Sequence, residues 1–405
     1  MICLASRFNR KASFWVQGRK NIIQRIEKAV AGHKKIVWIH AASLGEFEQG
    51  RPLLEKIKSE HPDHKVLLTF FSPSGFEARR NYAQADFIFY LPIDLPQNAR
   101  EFVRIVQPVA AIFVKYEYWM NFLTELKRNK IPTYIISAIF RPKQIFFQWY
   151  GIPYRKVLGC FNEIFVQHEN SKQLLANIGI HHVSVANDTR FDRVISIAKQ
   201  SNDIEIVKEF AENQFCIVAG STWFPDEQIL CKYINKNKNV KLIIAPHEIS
   251  ENHIQKAIKL LKTKWIRYTK IVASREIDLS EFQVLIIDNI GMLSSIYRYG
   301  KVAYIGGGFG AGIHNILEAA IYGVPVVFGI RYQKFNEALE LIQLKGSFSI
   351  RKYTGFKTLM EKFTEASDFR VKSGRICANY VENNAGGTLM IYEKLLKDEI
   401  FKSAF

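Results

Sequence analysis

The strongest constraint on this chain is a rhythm in which short β-rich runs alternate with helical patterns, and the rhythm occurs twice. In the first half, runs rich in Val, Ile, Phe and Tyr lie at 36–40, 66–71, 87–90, 109–114, 133–137 and 164–167. In the second half they lie at 215–219, 242–245, 284–287, 302–305 and 324–328. Parallel strands need long crossovers, usually helices, so strand then helix, repeated, predicts a parallel sheet with helices on both faces. Two doubly wound α/β domains are expected, and 405 residues exceed the size at which one core keeps growing. The stretch 193–213 is polar, carries Lys and Glu at helical spacing and lacks a strand signal. It reads as a linker between an N-terminal domain at 1–192 and a C-terminal domain at 214–385, with 386–405 as a helix that returns to the first domain.

Composition narrows the class of protein. Cys3, Cys160, Cys216, Cys231 and Cys377 are odd in number, widely spaced and without a C-x-x-C pair, which excludes a disulfide framework and a zinc ribbon. No run approaches the ~20 apolar residues that span a bilayer, and residues 1–6 are too short for a signal peptide. A formal charge of +18 predicts attraction to an anionic partner without choosing among nucleic acid, phosphorylated substrate and acidic lipid. Basic residues crowd the start, from Arg7 and Arg10 to Lys34 and Lys35, interleaved with Phe8, Phe14, Trp15, Ile22 and Ile23. That pattern suits either a segment at a membrane surface or a helix packed on its own domain. Nucleic-acid binding is disfavoured because no helix-turn-helix or other known module accompanies the charge.

Ligands of doubly wound sheets sit beyond the carboxyl ends of the strands, so the loops that follow strands carry the candidates. After the run ending at Ile305 comes GGGFGAG, then an apparent helix start at 313–318 with Asn315 and Glu318 three apart. A glycine-rich loop feeding a helix is a phosphate cradle, and an amide with a carboxylate on one turn suits ribose hydroxyls. Alternatively, Asn315 and Glu318 form a capping pair. Glu46 follows Gly45 after the first run, and Glu117 follows the run ending at Val114. Two carboxylates at equivalent strand ends, converging on one cleft, suit sugar chemistry, although each alone could be structural. Weaker signals after strands are Ser221 with Thr222, Pro246 with His247, and Ile290, Gly291 and Met292. Ser221 lacks the G-x-S-x-G elbow of a hydrolase, and no metal-ligand spacing is present.

Taken together, HAASLGE at 40–46, TFFSPSGFE at 69–77, YLPIDLP at 90–96, KYEYW at 115–119, TRFD at 189–192 and GGGFGAGIHNILEAA at 306–320 resemble the 3-deoxy-D-manno-octulosonic acid (Kdo) transferases. The resemblance continues through YGVPVVFGIRYQKFNEA at 322–338 and covers nearly the whole chain. It implies a GT-B glycosyltransferase with two Rossmann-like domains facing a cleft, CMP-Kdo as donor, a lipid A precursor (lipid IVA) as acceptor, inversion, and neither cofactor nor metal. It further implies Glu46 as general base, Glu117 and Arg190 as stabilisers of the charged transition state, and a CMP site of Pro246, His247, Ile290, Gly291, Met292, Asn315, Ile316, Leu317 and Glu318. Ser221 and Thr222 are expected near the leaving phosphate. The implied location is the cytoplasmic face of a bacterial inner membrane, against its anionic surface.

The chain departs from the family pattern at defined places. Arg190 stands where much of the family has Lys, Met120 where it has Pro, and His247 where it usually has Arg. The family usually begins with an N-terminal membrane anchor; here either the sequence is truncated or the basic, aromatic start serves for attachment. The rival enzymatic reading is another GT-B enzyme that uses a UDP-sugar in cell-envelope synthesis. The non-enzymatic rival is a basic nucleic-acid-binding protein.

Overall fold

The computed structural model describes residues 8–274 and 277–402. Cys3, Arg7 and the start at 1–6 lie outside the described residues. The chain divides into two compact units, Met1–Arg193 with Asn384–Phe405, and Val194–Asn383.

The first unit holds seven strands, β1 (Ile36–Ala41), β2 (Lys65–Phe70), β3 (Phe87–Tyr90), β4 (Ala110–Val114), β5 (Thr133–Ala138), β6 (Glu163–Val166) and β7 (Val183–Val185). Their order is β3-β2-β1-β4-β5-β6-β7, with every neighbouring pair parallel. β1 and β4 are buried along their whole length, as strands covered on both faces must be. One face carries an aromatic core in which Trp38 meets Phe102, Phe113 and Phe122. The other packs Val37 and Ile39 against Leu53, Leu54 and Ile57 of the helix Leu44–Glu60.

The two N-terminal helices are part of this unit. In Ile22–Val30, the buried residues Ile22, Ile26 and Val30 recur every four positions and form one apolar stripe against the core. Arg19 donates to the carbonyls of Leu91 (2.9 Å) and Phe71 (2.8 Å) and lies over the Trp15 ring at 4.2 Å. The apolar residues of the basic start are thus engaged by the domain, which favours the packed reading of that segment, while Phe8 remains 93% exposed.

At the other end of the chain, the helix Gly387–Lys397 packs on Leu44–Glu60 and buries Ile391, Tyr392 and Leu395 in the same core as β1. Each such side chain contributes about 1.5–3 kcal/mol by burial. The Asp192 carboxylate accepts the amides of Gly386 (2.6 Å) and Thr388 (2.7 Å), satisfying donors at the helix start. A Cβ on Gly387 would lie 2.0 Å from the Ala186 carbonyl oxygen, so the approach requires glycine.

The second unit holds β8 (Phe215–Thr222), β9 (Val240–Pro246), β10 (Trp265–Arg267), β11 (Val284–Ile286), β12 (Val302–Ile305), β13 (Val326–Phe328) and β14 (Ser347–Ser349). The order is β10-β11-β9-β8-β12-β13-β14, again parallel throughout. The stretch 193–213 is largely helical, as its Lys and Glu spacing suggests, with Arg190–Gln200 and Glu205–Ala211. The latter buries Val207, Phe210 and Ala211 in this unit, and the Ile204 amide donates to the Tyr299 hydroxyl at 2.7 Å. A seven-residue helix with one apolar face looks polar on average, which is why composition alone suggested a linker.

The strand order reverses between β1 and β4 in the first sheet and between β8 and β12 in the second, where β11 also lies inside β10. These reversals open crevices at the carboxyl ends of the strands, where doubly wound folds bind ligands.

Candidate active site

At the first reversal, the loops after β1 and β4 bring Glu46 and Glu117 together. Glu46 lies in the first turn of Leu44–Glu60, half-buried, and its carboxylate accepts from the Ser43 hydroxyl at 2.8 Å. Burial raises the Glu46 pKa above the ordinary glutamate value, and the charge of Glu117 adds to the rise; Ser43, Lys115 and His40 oppose it. Desolvation and a like charge both disfavour the ionised form, the usual way a carboxylate becomes a better base.

Glu117 is buried and held from two sides. Its Oε2 accepts from the Trp119 indole at 2.6 Å and lies 2.9 Å from His40 Nε2. His40 is fully buried in β1, and its Nδ1 lies 2.9 Å from the Thr69 hydroxyl and 3.1 Å from the Thr69 carbonyl. Trp38 Nε1 donates to that hydroxyl at 2.8 Å. One pattern uses every donor once: Trp38 donates to Thr69, the Thr69 hydroxyl to His40 Nδ1, and His40 Nε2–H to Glu117. With a second proton on the ring, Nδ1–H donates to the Thr69 carbonyl instead. The imidazole is therefore hydrogen-bonded in either charge state.

A second buried carboxylate anchors Arg190. Asp188 Oδ2 accepts from Arg190 Nε (2.8 Å), Gln49 Nε2 (2.8 Å) and Gln167 Nε2 (2.9 Å), and Oδ1 accepts from the Arg190 amide (2.9 Å). Burial alone would raise the Asp188 pKa, but the charge and hydrogen bonds of Arg190, helped by Lys115, hold it below the ordinary value. Lys115 thus acts on both Glu46 and Asp188. It directly follows β4 with φ of 75°, a left-handed conformation costly for a side chain with a Cβ. Sequence reasoning missed His40, Asp188, Gln49, Gln167 and the part played by Lys115.

At the second reversal, several expected residues sit differently from the sequence reading. The helix after the glycine loop is only Leu317–Ala320, four residues, rather than one opening at 313. The amides of Gly306, Gly307, Gly310, Gly312, Ile313 and His314 donate within the protein, to Gly220 O, Asp226 Oδ2, Gly307 O, Gly307 O, Arg331 O and Gly306 O. These six amides are engaged within the protein and not open to a phosphate, and a four-residue helix carries little dipole. Its glycines serve close packing: a Cβ on Gly306 would meet the Ser221 carbonyl oxygen at 2.2 Å. Asp226 ties the loop down through Gly307 (3.0 Å) and accepts the Trp223 amide (2.9 Å) and the Tyr304 hydroxyl (2.8 Å).

Asn315 Nδ2 donates to Glu318 Oε1 at 3.0 Å, and Asn315 Oδ1 accepts the Leu317 amide at 3.1 Å, an Asx-type turn just ahead of the helix, whose N-cap residue Ile316 has no side-chain cap. The side chains of Ile316 and Leu317 are buried, leaving only main chain for a ligand. Thr222 is also buried, its hydroxyl donating to Glu227 at 3.0 Å, whereas Ser221 sits in the left-handed region with φ of 52°. Pro246 ends β9, and His247 beside it is exposed. Ile290 is 85% exposed, Gly291 has φ of 101°, and the Met292 sulfur takes the Asn289 amide at 2.9 Å.

Three rings cluster at the ends of β8, β9 and β12. Trp223 stacks on His247 at 4.7 Å between centroids, His247 stacks on His314 at 4.4 Å, and Trp223 Nε1 donates to His314 Nε2 at 3.2 Å. Burial, then the neighbouring His247, pushes His314 down to about 4. Among the described residues, no group of three or more His, Cys, Asp and Glu is placed to hold a metal ion. No helix among them is long and apolar enough to cross a membrane.

Residues 17–193 match the family model for 3-deoxy-D-manno-octulosonic-acid transferase (kdotransferase). The 3-deoxy-D-manno-octulosonic acid transferase of Aquifex aeolicus is 28% identical over 365 residues, 86% of this chain and 92% of its own. The chain is similar to the Kdo transferases over most of its length. The transferase of Haemophilus influenzae is 23% identical over 380 residues, 89% of this chain and 86% of its own. Among solved structures, UDP-GlcNAc 2-epimerase from Neisseria meningitidis has a TM-score of 0.63 at 15% identity, covering 90% of this chain and all (100%) of its own. A glycosyltransferase from Rickettsia africae has a TM-score of 0.56 at 13% identity, covering 92% of this chain and 100% of its own. At such identity the structural likeness concerns the fold, which is GT-B. Its sequence relatives named here are transferases of that sugar.

Proposed function

We propose that this enzyme transfers Kdo from CMP-Kdo to a lipid A precursor, lipid IVA, with inversion and without a catalytic metal, in lipopolysaccharide synthesis. The observation that carries the reading is the pairing of a half-buried Glu46, its pKa raised, with a buried Glu117 braced by His40 and Trp119. Glu46 takes the proton of the acceptor hydroxyl, the acceptor oxygen bonds to the anomeric carbon, and the bond from that carbon to the phosphate oxygen breaks, releasing CMP. Glu117 and Arg190, each fixed by a buried partner, stabilise the positive and negative charge that develop at the sugar. Preorganisation supports this: both groups are oriented before any substrate arrives.

On the donor side, the reading uses Pro246, His247, Ser221, Gly291, Met292, Asn315 and Glu318, with only the main chain of Ile290, Ile316 and Leu317. For the membrane, the chain offers Trp149 (85% exposed), Tyr150 (54%), Ile152 (61%) and Tyr154 (46%) on one short segment, next in sequence to Arg155 and Lys156. Exposed aromatics beside cations suit an anionic interface, at the cytoplasmic leaflet where the nucleotide donor is made.

The direct test incubates purified protein with CMP-Kdo and a tetra-acylated lipid A precursor and reads product by mass. One or more added Kdo units is the expected result. Thermal stabilisation by CMP and not by UDP separates this reading from a UDP-sugar enzyme; at 100 times the dissociation constant it amounts to about 2.7 kcal/mol. The reverse ranking overturns the donor assignment.

A further inference from the structure

The second unit has a cavity at the end of its sheet away from the crevice. β8 begins at Phe215 and β12 at Val302, and at these amino ends lies a cavity of about 540 Å³ lined by Lys208, Arg298, Lys301 and Arg370, with Phe215 beneath. That volume is within the range of small-molecule sites. The crevice lies at the other end of the same strands, separated by the eight residues of β8, about 25 Å.

Charge around the cavity is compensated on one side only. Lys208 and Arg298 share the Asp203 carboxylate, at 3.4 and 3.3 Å, and Lys208 also lies 3.9 Å from Glu205. Arg298 is further engaged by the carbonyls of Ala198 and Ser201, each at 3.2 Å. Lys301 and Arg370 have no ion-pair partner among the described residues. Glu212, the carboxylate among the lining residues, is exposed and pairs with neither.

The two uncompensated cations differ in a useful way. Arg370 is fixed: its Nη1 donates to the Phe363 carbonyl, and its guanidinium carbon lies 5.5 Å from the centroid of the Phe215 ring. A guanidinium held against an aromatic ring presents its remaining N–H groups in a set direction, the geometry that suits phosphate oxygens. Lys301 is anchored at its main chain, where the amide donates to the Cys216 carbonyl at 2.7 Å, while its side chain is exposed and can turn toward a ligand. A rigid fork beside a mobile point charge is a pairing for phosphate, and two unpaired positive charges call for two negative ones.

We propose that this cavity is an anion site for a phosphate group carrying at least two charges, with Arg370 and Lys301 as its contacts and Lys208 and Arg298 adding positive field from the rim. The site is separate from the donor crevice and does not depend on which sugar nucleotide that crevice takes. The phosphate can arrive on a soluble molecule or on a lipid headgroup, and the chemistry of recognition is the same.

The test measures pyrophosphate binding to the full chain by calorimetry at about 0.15 M salt, where exposed charges more than about 8 Å apart are screened. Lys301→Gln should weaken binding about 10-fold, the scale of one charged hydrogen bond, with the melting temperature unchanged because the side chain is exposed. Arg370→Lys keeps the charge but loses the fork, and should weaken binding as well. Lys256→Gln removes the same charge from an exposed position on the helix Glu251–Ile258 and should leave binding unchanged. Equal weakening by Lys301→Gln and Lys256→Gln would reduce the effect to the net charge of the chain and overturn the proposal, as would no weakening by Lys301→Gln. Sedimentation with phosphatidic acid vesicles then identifies the source. If the phosphate is lipid-borne, Lys301→Gln lowers vesicle binding and Lys256→Gln does not; if it is soluble, the two variants sediment alike.

Discussion

Replacing Asp188 by Asn tests how strongly the buried carboxylate holds Arg190. If the Asn oxygen takes the place of Oδ2, it keeps the donors Gln49 and Gln167 and the Arg190 side chain, but its NH2 then faces the Arg190 amide, donor against donor. One charge-assisted bond is lost, about 1.5–3 kcal/mol. The guanidinium, 25% exposed, also loses its ionic partner, and with partial solvent screening that adds about 1 kcal/mol. A total of about 3 kcal/mol corresponds to a fall of about 6–12 °C in the melting temperature of a unit this size. The pH dependence has a definite sign. Asp188 has a depressed folded-state pKa, so its contribution is fully present above the unfolded value of about 3.9 and is lost as pH falls through the lower folded value. Calorimetric melting of wild type and Asp188→Asn should therefore show a constant gap from about pH 5 to 8 that closes on further acidification. A difference below about 2 °C at pH 7, or a gap that widens in acid, would refute the argument that this carboxylate carries charge for Arg190.

Four further outcomes follow from the geometry. Glu46→Gln should lower turnover by about 10²–10⁴-fold with CMP binding intact, and the wild-type rate should fall as pH drops through a midpoint above the ordinary glutamate value. Glu117→Gln should move that midpoint down in the pH profile of kcat/KM, because it removes the like charge. Gly306→Ala drives a Cβ into the Ser221 carbonyl oxygen at 2.2 Å and should cost about 1–3 kcal/mol in urea unfolding, whereas Gly310→Ala, whose nearest neighbour is 3.6 Å away, should be tolerated. Trp149→Ala with Ile152→Ser should reduce association with anionic liposomes in a sedimentation assay without changing the melting temperature, since both side chains are exposed.

Most of the sheet framework was legible because its strands are buried on both faces and read as unbroken apolar runs. The strands that escaped were β7, β10 and β14, each three residues long, each at a sheet edge and each only partly buried. Three residues are too few to show an apolar run, whereas β3, also at an edge but four residues long and all aromatic or β-branched, was legible. At the site, Glu46 and Glu117 stood out because each follows a strand end. His40 did not, since its bond to Glu117 spans 77 residues and the residue itself reads as part of an apolar strand. Asp188 is joined to Gln49 across 139 residues, and no local pattern announces such a contact. In the glycine loop, Gly306 and Gly308 let backbone pass against backbone, a role that the sequence pattern alone does not distinguish from an anion cradle.

The C-terminal helix has a consequence for how the polypeptide is made. Ile391, Tyr392 and Leu395 complete the core that β1 and Leu44–Glu60 begin, so the first unit is interrupted in sequence by the whole of the second. On the ribosome, residues up to 193 emerge with an open apolar face and an unsatisfied Asp192, while the intervening unit can already close on itself. The order of folding is thus the reverse of the order of synthesis: the half that is translated first is finished last.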